Sequence, residues 1–271
     1  MKIKRWFALA LVLCMVLPLA ACSLKPAAPW PTLREGGLRE GGQLVRGNGN
    51  VVVNKTSLPE DERGYALRIT GISLRGSRGN EADIRLEIDE GLEREVVLTT
   101  DSNIAERIHV AYNEAAGEIV IDMTQRVVFT PTQLTIIVGG PVRKLDLNGA
   151  WNFTYNCPGV TGCEASVNGA SNGKFTFGAL DALRVDVNGT GDIRLAGTAK
   201  QADLIINGAA NIRAFDLTAV SADVTINGTG NCEITATSAL DAQINGLGKV
   251  VYGGEPAVNK RVRGLGEVKA R

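Results

Sequence analysis

The chain has 271 residues, enough for one large or two modest domains, and its hydrophobic content of 44% is normal for a folded protein. Thirty-two glycines beside only 5% aromatic residues argue against a helical bundle and for many tight turns around an aliphatic core. The formal net charge is zero and no basic stripe is visible, which argues against a nucleic-acid partner.

Residues 1–21 have the pattern of a lipoprotein signal peptide. A basic start, Met1–Arg5, precedes an apolar run, Trp6–Leu19, that is short for a transmembrane helix and ends in small residues. The sequence Leu19–Cys22 resembles a bacterial lipobox, in which the cysteine becomes the first mature residue and is acylated. We therefore predict an exported protein that is lipidated at Cys22. The alternatives are an ordinary signal peptide cut near a cysteine, or an uncleaved anchor.

The predicted lipid anchor fixes an expected location. Acyl chains on Cys22 hold a protein stably on a membrane, so we expect a cell-envelope protein of a bacterium. Ser23 after the cysteine resembles the signal for the outer membrane in a host with two membranes. Removing the signal peptide takes away three of the 29 basic residues, which leaves 26 against 29 acidic ones and a net charge of about −3.

Residues 22–45 are predicted to form the lipidated N-terminus and a flexible tether. Pro26, Pro29 and Pro31 are followed by two copies of Leu-Arg-Glu-Gly-Gly. Such a sequence buries too little apolar area to order itself, so the folded part is expected to stand off the membrane.

Residues 46–271 are predicted to form one all-β domain. Its first half contains strand-like stretches without a tight repeat, and no amphipathic helix of 12 residues stands out. We interpret this half as irregular turns of the same architecture with longer loops.

The second half contains a repeat of about 20 residues that is centred on an Asn-Gly corner. Before and after each corner, apolar residues alternate with polar ones, which is typical of β-strands. A barrel or sandwich built from two-residue hairpins is the serious alternative, because Asn-Gly also favours that turn. The constant spacing favours a single-stranded parallel β-helix-like solenoid with rungs of about 20 residues, in which equivalent positions stack. The asparagines would then form a structural ladder of amide hydrogen bonds, at Asn148, Asn168, Asn188, Asn207, Asn227 and Asn245.

Three cysteines remain after Cys14 and Cys22. Cys157 and Cys163 flank a Pro-Gly-Val-Thr-Gly turn, so we predict a disulfide between them, with two free inward-facing thiols as the alternative. Cys232 occupies an inward position and is expected to be a buried thiol. No second ligand stands at zinc spacing, and we predict no metal site and no cofactor.

Few residues are candidates for catalysis. Any histidine-dependent arrangement would need His109, which alternates with apolar residues in a strand-like run. Asp203, Asp223 and Asp241 each lie four positions before a corner asparagine, so they would stack on one face. Such a row is a candidate for calcium, or for the acids of a polysaccharide-processing β-helix enzyme, although a solvated face is the simpler interpretation.

The Gly-rich corners resemble the head GIN domain family of auto-transporter adhesin head domains. The residues that carry this resemblance are Ile244–Pro256 and Val262–Val268, with earlier corners at Ile226–Gly230, Val187–Gly191 and Arg46–Val51. The resemblance spans roughly residues 43–271. It implies a right-handed β-helix-like fold in envelope proteins that are often lipoproteins, without an established enzymatic activity or catalytic residues to carry over.

We therefore expect a noncatalytic envelope lipoprotein. Its domain would bind a glycan or an envelope protein, or assemble with copies of itself through open solenoid ends. The alternative is a β-helix hydrolase or lyase acting on polysaccharide. That alternative needs a groove with convergent acids and aromatic or basic substrate contacts, and the chain has few aromatics to build one.

Overall fold

A computed structural model describes residues 43–74, 83–123 and 127–271. Within them the fold is all-β, with sixteen strands and one short helix, α1 (Ser102–Ala105). The strands are β1 (Gln43–Arg46), β2 (Val51–Ser57), β3 (Tyr65–Ile69), β4 (Ser73–Leu74), β5 (Asp83–Asp89), β6 (Glu95–Asp101), β7 (Ile108–Asn113), β8 (Glu118–Met123), β9 (Val127–Thr130), β10 (Gln133–Gly139), β11 (Val142–Gly149), β12 (Asn152–Cys157), β13 (Gly162–Ala170), β14 (Asn172–Gly253), β15 (Ala257–Gly264) and β16 (Glu267–Ala270).

The predicted all-β class is confirmed. Cys22, the signal peptide and nearly all of the predicted tether lie outside the described residues, and β1 begins three residues before the predicted domain start at residue 46. The described residues all belong to one compact unit. Within the described residues, no helix has the length and apolar content needed to cross a membrane.

Alternation of apolar and polar residues places one side of each strand in the core. In β14, Val185 and Val187 are buried, whereas Arg184 before them is exposed. Successive side chains of a strand point to opposite faces, so this alternation separates an aliphatic interior from a polar exterior. Aromatic residues gather in one part of the interior, where the rings of Phe153, Tyr155, Phe175 and Phe177 pack 5.1–5.6 Å apart.

In the second half, neighbouring repeats pair in parallel and in register. β11 pairs with β13, and β13 with β14, so that Asn148, Asn168 and Asn188 lie side by side. The same arrangement continues to the last strands, since β15 and β16 both pair with β14 in parallel. The strand after each corner is paired likewise, as β12 lies parallel to both β5 and β14. A hairpin would require antiparallel pairs, so the hairpin alternative does not describe this region.

The interpretation of the first half as irregular parallel repeats holds for some of its strands and is wrong for others. β3 pairs in parallel with β8, and β5 pairs in parallel with β10. β6 pairs antiparallel with both β2 and β10, and β7 pairs antiparallel with β8. The loop between β7 and β8 is only four residues long and ends at Gly117 with a φ of +61°, which is a hairpin connection. These antiparallel strands extend the sheet beyond β3 on one side and beyond β5 on the other.

Candidate binding surface

Five asparagine side chains form a hydrogen-bonded series along the outer surface of the corners. Each amide nitrogen donates to the side-chain oxygen of the preceding repeat over 2.7–2.8 Å, from Asn245 through Asn227, Asn207 and Asn188 to Asn168. The predicted ladder is therefore present for these five residues. Every inner member uses one N–H and one oxygen lone pair within the series, which leaves its second N–H and second lone pair for solvent or a ligand.

The series ends on a carboxylate instead of on the sixth predicted member. Asn168 donates to Asp146 Oδ1 over 3.1 Å, and Asn148 donates to the same oxygen over 3.0 Å. Asn148 also donates to the carbonyl oxygen of Ile69 over 3.3 Å. Because a carboxylate accepts several bonds and donates none, Asp146 fixes the direction in which all the amides point.

A second polar series, which the sequence analysis missed, lies after the corners. Asn231 donates to Asn211 over 2.9 Å, Asn211 donates to Asp192 over 3.2 Å, and the Asp192 backbone N–H donates to Asn172 over 3.1 Å. The signal was available, because an Asn or Asp stands four residues after each of five consecutive corner asparagines, from Asn148 to Asn227. Both series join neighbouring repeats by hydrogen bonds on the outer surface, in addition to the backbone hydrogen bonds of the sheet.

The predicted acidic row is partly neutralised by cations of the preceding repeats. Arg184 forms an ion pair with Asp203, and Lys144 with Glu164 at 3.3 Å. Burial raises the pKa of the Asp203 carboxyl, with Arg184 opposing the shift and the nearby Asp186 and Asp223 adding to it. Further along the row, Asn259 donates to Asp241 over 2.6 Å. The row thus has mixed charge and is hydrogen-bonded within the protein.

The three aspartates do not converge into a calcium site. Among the residues that the structure describes, no three or more His, Cys, Asp or Glu side chains come together in a group that would hold a metal ion. Asp203, Asp223 and Asp241 lie in line on successive repeats, so their carboxylates do not converge on one point. Chelation needs six to eight oxygens around one point, which a single line of carboxylates does not supply.

Neither of two shallow surface grooves formed by the described residues has the layout of an active site. The first, of about 470 Å³, lies at the start of the acidic row and is bordered by the ion pairs just described. The second, of about 480 Å³, contains Asp61, whose side chain is only 6% exposed and is bound by Arg63 and Tyr112. Hydrogen bonds from Arg63 hold the pKa of Asp61 well below its usual range. His109 is exposed on β7, opposite Asp122 of β8 and away from both grooves.

The predicted disulfide is not formed. Cys157 and Cys163 are free and buried, and the alternative of two inward-facing thiols is the arrangement observed. Cys157 lies beside Phe177 of β14, whereas Cys163 lies beside Leu183, and the Tyr155 hydroxyl is a hydrogen-bonding neighbour of both thiols. Tyr155 also donates to the carbonyl oxygen of Val142. Both thiols are buried in the core beside the same tyrosine, so closeness along the turn did not by itself decide between a disulfide and two free thiols.

Burial makes all three thiols poor nucleophiles. Loss of solvation raises the pKa of Cys157 to about 11, and those of Cys163 and Cys232 to about 12. The thiolate is the reactive form, so we expect no alkylation of these residues by iodoacetamide at pH 8 in the native protein and complete alkylation in urea. Peptide mass spectrometry after labelling measures both states. A peptide pair that gains 2 Da on reduction would instead show a bond between Cys157 and Cys163.

The arrangement of the domain is shared with known proteins. The family profile described as "Putative auto-transporter adhesin, head GIN domain" matches residues 80–256, which is more than half of the chain. The chain belongs to the head GIN domain family. The matched segment begins just before β5 and includes all of the second-half repeats up to β14.

Solved structures resemble the head GIN domain of this chain in fold. A protein from Bacteroides fragilis titled a putative adhesin is 19% identical, with a TM-score of 0.65 over 84% of this chain and 100% of its own. A protein from Parabacteroides distasonis titled a putative lipid binding protein is 20% identical, with a TM-score of 0.61 over the same shares. A comparison with curated proteins gave no significant match. At such low identity, these likenesses establish the fold of the domain alone.

Proposed function

We propose that this chain is a noncatalytic lipoprotein of the bacterial cell envelope. Its head GIN domain would bind a partner on the flat polar surfaces that its repeats build, and Cys22 would carry the lipid anchor. The observation that supports this proposal most is the in-register stacking of polar side chains, which makes a continuous outer surface out of short repeats.

The same proposal includes the shape of the domain. We infer that the second half winds as a right-handed parallel coil with one turn for about 20 residues. Parallel pairs at steps of 20 residues between β11, β13 and β14 support a coil, since each repeat must return to the same side of the sheet before the next begins. Solenoids of this kind present long surfaces, and binding is their common use.

Two further observations support an envelope role. The start of the sequence has the pattern of a lipoprotein signal, and proteins of similar fold carry the description of adhesins. Against the polysaccharide-enzyme alternative, Asp203 is paired with Arg184, and Asp241 is bonded to Asn259. Glycoside hydrolysis requires two carboxyl groups that face each other across a substrate groove. These two aspartates face a cation and an amide instead.

Replacing Cys22 by serine is expected to release the protein from the membrane. The wild-type chain, expressed in bacteria that are fed an alkyne-tagged fatty acid, should sediment with membranes and carry the tag. Because acyl chains supply most of the anchoring free energy, the Cys22→Ser chain should lose the tag and leave the membrane fraction. A Cys157→Ser chain is the matched control and should stay anchored. Tagging of the Cys22→Ser chain would contradict lipidation at this residue.

A separate assay tests the absence of catalysis. The Cys22→Ser chain is incubated with neutral and acidic polysaccharides, and the release of reducing ends or of unsaturated products is followed. We expect none above background. Turnover that is abolished by Asp223→Asn would contradict the proposal and favour the enzyme.

A further inference from the structure

Three cations stand in line on the outer surface after the corners. Lys174, Arg194 and Arg213 are exposed and occupy equivalent positions of three consecutive repeats. The hydrogen bonds that join Asn172 to Asp192 and Asp192 to Asn211, two residues before each cation, fix this register. Neighbouring strands lie about 4.8 Å apart, so these residues form a row across the strands, here called the basic strip.

The basic strip departs from a charge pattern that recurs along the repeats. Four cations of the repeats face anions of an adjacent repeat, in the pairs Lys144–Glu164, Arg184–Asp203, Lys200–Asp181 and Lys249–Glu267. Among the described residues, neither Lys174 nor Arg194 has an anionic partner within 4 Å, and Arg213 has only Asp192, at 3.3 Å. Like charges on directly adjacent strands are destabilising. An anionic partner lying along the strip would remove that repulsion.

The surroundings of the basic strip define the chemistry of such a partner. The amides of Asn172 and Asn211 lie along one side, and Thr176 and Phe215 along the other, where Arg271 stacks over the Phe215 ring at 4.6 Å. The large hydrophobic side chains that are exposed in the described residues lie outside this area, at Leu44, Val51, Val53, Leu92, Val220, Leu247, Val258, Val262 and Leu265. A membrane surface would require apolar side chains beside the cations, so it fits poorly.

Single-stranded nucleic acid also fits the basic strip poorly. Its bases need aromatic platforms, and Phe215 is half-buried with one face already covered by Arg271.

The row of cations is bordered by the amides of Asn172 and Asn211 and by the Thr176 hydroxyl. The one carboxylate between the amides, Asp192, is paired with Arg213. Such a row suits a polymer that carries both carboxylates and many hydroxyl groups. Amides of this kind donate to and accept from hydroxyls, which supplies contacts between the charges.

We propose that the basic strip binds a linear acidic polysaccharide, which runs across the strands with its carboxylates over Lys174, Arg194 and Arg213. This inference rests on the proposed function, because it names the partner class of the envelope-binding domain. The exposed N–H and C=O groups of Asn172 and Asn211 would contact the sugar hydroxyls. Binding is expected to weaken with salt, because the contacts are largely between exposed charges.

The test uses the full chain with Cys22→Ser, so its outcome does not depend on anchoring. Binding of a fluorescent oligogalacturonate is measured by anisotropy over a series of salt concentrations, with a neutral glucan oligomer as the control ligand. The double variant Lys174→Gln/Arg194→Gln should bind about tenfold more weakly or worse and show a flatter salt dependence. The matched control Arg261→Gln/Arg263→Gln removes two exposed cations from β15, away from the strip, and should change the affinity less than twofold.

Several results would overturn the inference. They are no binding by the starting chain at low salt, equal losses in the two double variants, and equal binding of polyphosphate or single-stranded DNA. Stronger binding to anionic phospholipid vesicles, lost in the same strip variant, would assign the strip to membranes instead. The melting temperature of the strip variant should equal or exceed that of the starting chain, because a like-charge repulsion is removed. Lost binding with that stability preserved is attributable to the strip and not to unfolding.

Discussion

Replacing Gly208 by alanine is expected to lower the free energy of unfolding by about 3 kcal/mol or more. Gly208 has a φ of +146°, a conformation that residues with a Cβ rarely adopt. A Cβ at this position would also lie 2.3 Å from the carbonyl oxygen of Gly189 in the preceding repeat. The backbone strain and the overlap each contribute about 1–3 kcal/mol, and neither is relieved without moving the stacked repeats apart.

Two control substitutions separate the strain from the overlap. Gly49→Ala, at a φ of +76° with no heavy atom within 4 Å of the added Cβ, should cost about 1 kcal/mol. Gly162→Ala, where the nearest atom is the Ala182 oxygen at 3.7 Å, should cost less than about 1 kcal/mol. Urea denaturation of the Cys22→Ser chain measures all three losses. A loss at Gly208 that is no larger than that at Gly49 would contradict the close approach of the repeats.

The stacking of the corners followed from the sequence because three residue types agreed on one register. Asn at a nearly constant step supplies an amide that can both donate to and accept from the amide of the next repeat, and Gly after it permits the close approach. Apolar residues before the corner, such as Val187 and Ile206, then share one interior. A parallel in-register pairing satisfies all three requirements together, which is why the predicted ladder and the buried position of Cys232 agree with the structure.

The antiparallel strands of the first half were not predicted because the repeat of the second half was extended to it. The short segment 114–117 between β7 and β8 ends in glycine, and four-residue loops of that kind favour a hairpin. For β7 and β8, this loop is a better predictor of strand pairing than the repeat of the second half. By contrast, the end of the amide series at Asp146 could not be derived from spacing, because Asp146 and Asn148 are both outward candidates on β11 and only the packed structure decides between them.

In-register stacking of the repeats orders both the interior of this domain and the rows of charged residues on its outer surface. When repeats stack in register, every outward residue meets its counterpart about 4.8 Å away, so each row of the surface is either complementary or repulsive. Arg184 and Asp203 are a complementary case. Lys174 and Arg194 are a repulsive case, and a sequence reading that aligned the residues after the corners would have found them.

Replacing Asp101 by asparagine is expected to lower the free energy of unfolding at pH 7 by about 3 kcal/mol. The Asp101 carboxylate is fully buried and accepts three hydrogen bonds, from the Gly49 N–H over 2.7 Å and from the N–H and hydroxyl of Thr132, each over 2.8 Å. These contacts bind the start of β2 and the start of β10 to the end of β6. An amide keeps one acceptor oxygen but turns an NH₂ group toward one of these donors, which leaves that donor unpaired.

The loss at Asp101 should depend on pH in a defined direction. Burial by itself raises the pKa of this carboxyl, but the hydrogen bonds from Thr132 and Gly49 outweigh burial and hold the pKa below its ordinary value. A carboxyl with a lowered pKa in the folded state contributes stability that is fully present above the unfolded-state pKa of about 3.9 and is lost as the pH falls through the folded-state pKa. The difference between wild type and Asp101→Asn in urea denaturation should therefore be constant from pH 7 to pH 5 and shrink below pH 4. Asp181→Asn, at an exposed pair with Lys200, is the matched control and should cost less than about 0.5 kcal/mol at every pH. A gap for Asp101→Asn that widens on acidification would show that the buried carboxyl is protonated in the native state, and that its three donors do not hold it as an anion.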